Sequence, residues 1–202
     1  MLRARRGRPI FVIDIGVPRN VAPEAIIATN NTAGADDIFL PAGTFTLTIA
    51  GTWEELAATG DLDITDEVEI IGMGWTRTVV DGVGADRVFD VHYGAGSVRL
   101  GSITIRGGWS PEGGGVDAEE NTVLDLTEVS FVANYSSVVG GAVRAHGGSL
   151  LITDCLFAAN VSGSIGGAIL APPRPVTHRL SAVLACLLTL GLLGVVIVVV
   201  DR

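Results

Sequence analysis

Apolar positions recur along this chain at a fixed long step, not a helical one. Leu100, Leu126 and Ile152 stand 26 residues apart, as do Ile103, Val129 and Cys155, and Ile105, Phe131 and Phe157. Small and polar positions keep the same step: Gly108, Asn134 and Asn160 form one series, and Gly114, Gly140 and Gly166 another. The stretches FVANYSSVVGGAV (131–143) and FAANVSGSIGGAI (157–169) share this frame but not the filler inside it. A fixed period of this size predicts stacked coils, each burying its apolar face only against its neighbours.

Two solenoids fit the period. The frame L126-x-x-V129-x-F131-x-x-N134 also matches a leucine-rich repeat, which returns along a helical convex segment. Here the return segments are YSSVVGGAVRAHGGS and VSGSIGGAILA. Glycine pairs, serine and valine make poor helix interiors and suit turns followed by short strands. The predicted fold is therefore all-β, a parallel β-helix. In that fold each circuit lies ~4.8 Å above the last, and a residue stacks on its equivalent one coil away. Leu126, Val129 and Phe131 should point inward. Asn134 and Asn160 should pass amide hydrogen bonds from coil to coil at a bend. The glycines should supply corner angles that a Cβ resists.

Earlier coils are less regular. Residues 37–51 predict a strand, a Pro-Ala-Gly turn and an alternating strand; 66–75, 77–84 and 86–91 predict short strands between glycine turns. Residues 52–65 predict a loop thrown out of the stack. Residues 21–31 predict a short helix with Pro23 near its start, placed to cap the open amino end of the solenoid. The glycine frame slips by one residue, GGGVDA (113–118) against GGAVRA (140–145). The domain order expected is a basic leader or disordered segment (1–20), an amino-terminal cap (21–36), the β-helix (37–170), a linker (171–179) and a transmembrane helix (180–200). The last rests on an uncharged run long enough to span ~30 Å as a helix.

Charge narrows the partners. All 13 basic residues are arginine, against 22 acids. Residues 21–170 hold 20 of the acids and only five arginines, so the folded body is strongly acidic. Phosphate binding needs a basic face, which excludes a nucleic-acid partner. Cys155 sits at an apolar position of the repeat and Cys186 in the hydrophobic tail, so no disulfide is expected and Cys155 is a small buried hydrophobe. Trp109 falls in the loop GGWSPEGGG, and Tyr135 opens the matching loop one coil later. Aromatics exposed on loops of a rigid scaffold can stack on sugar rings, which makes these two the glycan-binding candidates.

The FVAN and FAAN stretches with GGAV and GGAI resemble the paired repeats of chlamydial polymorphic outer membrane proteins. Residues 33–91 closely resemble bacterial parallel β-helix proteins of the CSLREA-domain type, although only Glu24, Ala25 and Ile26 remain of the hallmark stretch. The resemblance covers about residues 24–170. It implies a right-handed, pectin-lyase-like β-helix on exported or surface-attached proteins. Such folds host polysaccharide enzymes that use clustered carboxylates, Ca²⁺ and a basic group. Asp81, Asp90 and His92 are the catalytic candidates on that reading; Asp117, Asp125 and Asp154 are scattered over other coils. No metal-ligand spacing of His or Cys is present, and no cofactor is expected, Ca²⁺ being the one the acidic surface would suit.

The function expected from the whole is a membrane-anchored, outward-facing surface protein with an adhesion-like or scaffold role and no catalysis, its partners the membrane through 180–200 and a glycan or cell-surface ligand. The alternatives are a lyase or hydrolase acting on acidic glycans, and an inactive truncated remnant of a longer surface protein.

Overall fold

The computed structural model describes residues 10–12, 21–49, 51 and 56–171. The predicted membrane helix, most of the linker and leader, and Cys186 lie outside them. Among the described residues no helix is long and apolar enough to cross a membrane.

In chain order the elements are β1 (Ile10–Val12), α1 (Val21–Asn30), β2 (Asp36–Phe39), β3 (Gly43–Thr46), β4 (Leu62–Ile64), β5 (Val68–Ile71), β6 (Thr78–Asp81), β7 (Phe89–Val91), β8 (Gly96–Arg106), β9 (Trp109–Glu112), β10 (Val116–Ala118), β11 (Thr122–Val132), β12 (Tyr135–Val139), β13 (Val143–Ala145), β14 (Ser149–Thr153), β15 (Leu156–Ala158), β16 (Val161–Ser162) and β17 (Ile169–Leu170). They form three sheets. The first follows the order β1-β2-β5-β8-β11-β14, with β3, β6 and β15 beside that path; the second is β17-β13-β10-β7-β4; the third is β16-β12-β9. The strand pairs are parallel, and the chain visits the sheets in rotation, as a parallel β-solenoid of about four turns.

The 26-residue step is the coil. Leu126 pairs in register with Leu100 on one side and Ile152 on the other, and Phe131 with Ile105 and Phe157. The first of these columns continues back through Ile70 to Ile38. Those earlier steps are longer, so the amino-terminal coils share the core without sharing the period. A second column, Leu62, Phe89, Val116, Val143 and Ile169, lines the opposite wall. All but Ile169 in these two columns are buried.

A strand can face the core on only every second residue, yet both Leu126 and Val129 are buried. The phase changes at Glu128, whose φ is +55°; Ser102 (+53°) and Asp154 (+51°) hold the equivalent places on neighbouring coils. This column of left-handed residues bends the long strands, so both arms turn inward. Glycines serve another corner. Gly140 has φ +66°, and a Cβ on Gly141 would sit 2.2 Å from Gly167 O, so the backbones approach too closely for any other residue. The one-residue slip of the glycine frame is taken up in β12. Ser136 pairs with Ser110, but Val139 pairs with Glu112, which leaves a bulge between them.

Helix α1 closes the amino end. Ala25 and Ile26 are buried against the core mouth, where Ile26, Ile38, Leu62 and Phe89 border a cavity of about 10 Å³. Asn30 completes the cap: its Nδ2 donates to Asp63 O at 2.7 Å, and its Oδ1 accepts from Thr65 N at 2.9 Å. One side chain thus supplies the edge strand β4 with a donor and an acceptor that the next coil would otherwise supply. The segment expected as a leader contributes β1, which pairs with β2. Its apolar Ile-Phe-Val run occupies an edge that would otherwise be open.

Candidate functional site

Two surfaces carry chemistry: an acidic column on the second sheet and an aromatic stripe on the third. The column arises from register. Asp63 pairs with Asp90, Asp90 with Asp117, and Asp117 with Arg144, one residue above the next across β4, β7, β10 and β13. Their strand neighbours point into the core, so these side chains point outward. Stacked like charges repel, and two arginines offset the repulsion. Arg87 Nη1 lies 3.0 Å from Asp90 Oδ2 and 2.9 Å from Asp117 Oδ2, and its Nε lies 2.8 Å from Asp61 Oδ2. Arg144 Nε and Nη2 reach the two Asp117 oxygens at 2.6 and 2.8 Å, a bidentate pair, and Nη1 pairs with Glu112. Asp63 is buried: Oδ2 accepts from Ala57 N at 2.7 Å, and Oδ1 faces His92 Nε2 at 2.9 Å.

Acids outnumber cations in this network, and water is largely excluded. Burial, reinforced by Asp86, pushes Asp61 up to about 8. Burial pushes Asp90 up to about 7 against the opposing pull of Arg87. Burial also raises Asp86 and Asp117 above the ordinary carboxylate range. Burial alone would lower Arg87, but Asp90 and Asp117 outweigh it and hold the guanidinium charged. Near neutral pH the column therefore carries protons as well as charge.

Asp63, Asp90 and His92 each offer a ligand atom within 4.8 Å of the others, the spacing a cation could bridge. Two of the three are committed elsewhere: Asp90 meets a guanidinium, and both Asp63 oxygens are engaged with His92 and the Ala57 amide. Two cavities near α1, each about 10 Å³, are too small for a ligand.

The aromatic stripe lies on β9, β12 and β16. Trp109 pairs in register with Tyr135, and Tyr135 with Val161. The two rings form an offset stack, centroids 6.2 Å apart and planes within 14°. All three residues are exposed, at 46%, 37% and 52%. The alternate residues face in: Ser110 and Ser136 are buried, and Ser136 Oγ lies 2.6 Å from Pro111 O and 2.8 Å from Val139 O. The rings stand on a pinned backbone.

The residues singled out from sequence do not form one site. Asp90 and His92 share the column. Asp81 belongs to another sheet, where Arg106 Nε pairs with it at 2.7 Å. Asp117, set apart in the sequence as one of several acids scattered over other coils, lies on the next coil in register with Asp90. Asn134 and Asn160 link coils: Asn160 Oδ1 accepts from both the N and Nδ2 of Asn134 at 3.0 Å, and Asn134 Oδ1 accepts from Gly108 N at 3.0 Å. Cys155 is buried, which pushes its thiol up to about 11, an inert residue. Sequence reasoning missed Asp61, Asp63, Arg87 and Arg144. A signal existed: 63, 90, 117 and 144 are evenly spaced by 27, one more than the period of the first sheet.

Fold and surfaces define a parallel β-solenoid with an ion-paired acidic flank and an exposed aromatic stripe. No family model, no curated protein and no solved structure matches the chain.

Proposed function

We propose that this chain is a non-catalytic binding module of the cell surface, a right-handed, pectin-lyase-like β-helix of the CSLREA type that engages a glycan through Trp109 and Tyr135. The observation that carries the reading is the exposed, in-register Trp109–Tyr135 stack on a rigid parallel sheet. Large aromatics are normally buried where packing permits. A pair held outward on pinned strands is suited to the apolar face of a sugar ring. Residues 180–200 anchor the module in a membrane with the solenoid outside. Binding of the full chain to glycan-bearing cells, lost in Trp109→Ala with the fold intact, tests the ligand. Protease added to intact cells tests the orientation: digestion of the solenoid supports it, and full protection refutes it.

A second reading, an enzyme acting on acidic glycans, is favoured by the convergence of Asp63, Asp90 and His92. It requires release of unsaturated or reducing sugars from a uronate polymer, abolished by Asp90→Ala. The binding reading is preferred because Arg87 holds Asp90, and both Asp63 oxygens are engaged by His92 and the Ala57 amide.

A further inference from the structure

Resting on the glycan reading above, we infer that the Trp109–Tyr135 stripe takes an uncharged glycan in preference to a uronate or sulfated one, the ligand lying along the solenoid axis.

The direction follows from register. Trp109, Tyr135 and Val161 succeed one another coil by coil, so the stripe runs parallel to the axis, with one apolar side chain every ~4.8 Å. Val138 and Ile165, also exposed, add apolar surface toward the far end of the same coils. The three stacked positions span roughly 10 Å. A stable protein partner buries about 800 Å² on each side, and a stripe of this width falls far short. It suits a few sugar rings of one glycan strand.

Charge selects the class. Among the described residues, four of the five arginines are committed: Arg87 to Asp61, Asp90 and Asp117, Arg99 to Glu69, Arg106 to Asp81, and Arg144 to Glu112 and Asp117. The one ionisable carboxylate on the stripe's own strands is Glu112, and its cation is shared with Asp117. A uronate or sulfate group approaching Trp109 would meet an acidic body, with 20 acids to five arginines over residues 21–170. At physiological ionic strength repulsion persists over a Debye length of about 8 Å, which reaches across much of the stripe. An uncharged ring meets no such barrier. Exposed Ser137, two residues past Tyr135 on β12, offers a hydroxyl for its polar edge.

The test is calorimetric titration of the full chain, held in a non-ionic detergent without a sugar headgroup. The probes are uncharged oligosaccharides of glucose, mannose and galactose, set against oligogalacturonate and heparin fragments. We expect at least one uncharged oligosaccharide to bind and both anionic probes to bind at least tenfold more weakly. That gap should narrow as salt is raised. Trp109→Ala should weaken the uncharged ligand at least tenfold while leaving the thermal transition unchanged, and Trp109→Tyr should retain binding. Anionic probes that bind as well as uncharged ones, with the same dependence on Trp109, overturn this inference and leave the glycan reading standing. Binding that ignores Trp109, or no binding to any probe, overturns both.

Discussion

Raising the pH from 5 to 8.5 should loosen the solenoid, and Asp61→Asn should remove much of the effect. Asp61 is buried beside other carboxylates, with Arg87 Nε at 2.8 Å as its cation. Burial first, then Asp86, carries it from 3.8 to about 8, and Asp90 reaches about 7 chiefly through burial. In the unfolded chain both titrate near 4. Between those limits the native state keeps protons that the unfolded chain has released, so stability falls as pH rises. The contribution is fully present below about pH 4, declines through the window and is gone above about pH 8. One pKa unit corresponds to about 1.36 kcal/mol, so the Asp61 shift sets an upper limit of roughly 5–6 kcal/mol. Relaxation of the surrounding loop reduces this, and we expect a loss of ~2–3 kcal/mol between pH 5 and 8.5. For a domain of this size that is a drop of roughly 5–10 °C in Tm. Thermal melts of the full chain in non-ionic detergent, followed by circular dichroism across the pH range, measure it. In Asp61→Asn the drop should shrink to what Asp90 leaves. Wild-type stability that stays flat or rises over this window would refute the reasoning.

Three further outcomes follow from the columns. Asn134→Ala leaves Gly108 N and Ile105 O without side-chain partners and removes the side-chain bond to Asn160, leaving only the backbone one; urea denaturation should show a loss of ~2–4 kcal/mol. Phe131 is fully buried and stacks on Phe157 with centroids 5.0 Å apart, so Phe131→Ala should cost ~3–5 kcal/mol in the same assay. Cys155, with its thiol pushed up to about 11, should resist a disulfide reagent at pH 8 until the chain is unfolded; rapid labelling of that position in the native protein would contradict its burial.

Much of the architecture was legible because a solenoid writes its tertiary contacts into linear spacing. Leu100, Leu126 and Ile152 touch because each coil returns to the same wall after 26 residues, and the amide link between Asn134 and Asn160 obeys the same arithmetic. The aromatic stripe was visible for that reason too, since Trp109 and Tyr135 hold matching places on successive coils. The left-handed corner at Ser102, Glu128 and Asp154 was not visible, because nothing in those side chains announces a positive φ.

The winding follows from the order of residues alone: a repeat of like residues admits few structures other than coils stacked in register, since each apolar face is buried only by its neighbour. Where the charges meet is settled by folding. From β4 to β13 the second sheet advances by 27 residues where β8, β11 and β14 advance by 26, and the bulge of β12 accounts for the extra residue of the step from β10 to β13. The 27-residue step brings Asp63, Asp90, Asp117 and Arg144 into one file, while Asp81 lies on β6 of the first sheet. Arg87, on a loop outside any repeat, joins them because burying stacked carboxylates is unfavourable without a cation at hand, a requirement that exists only once the chain has folded.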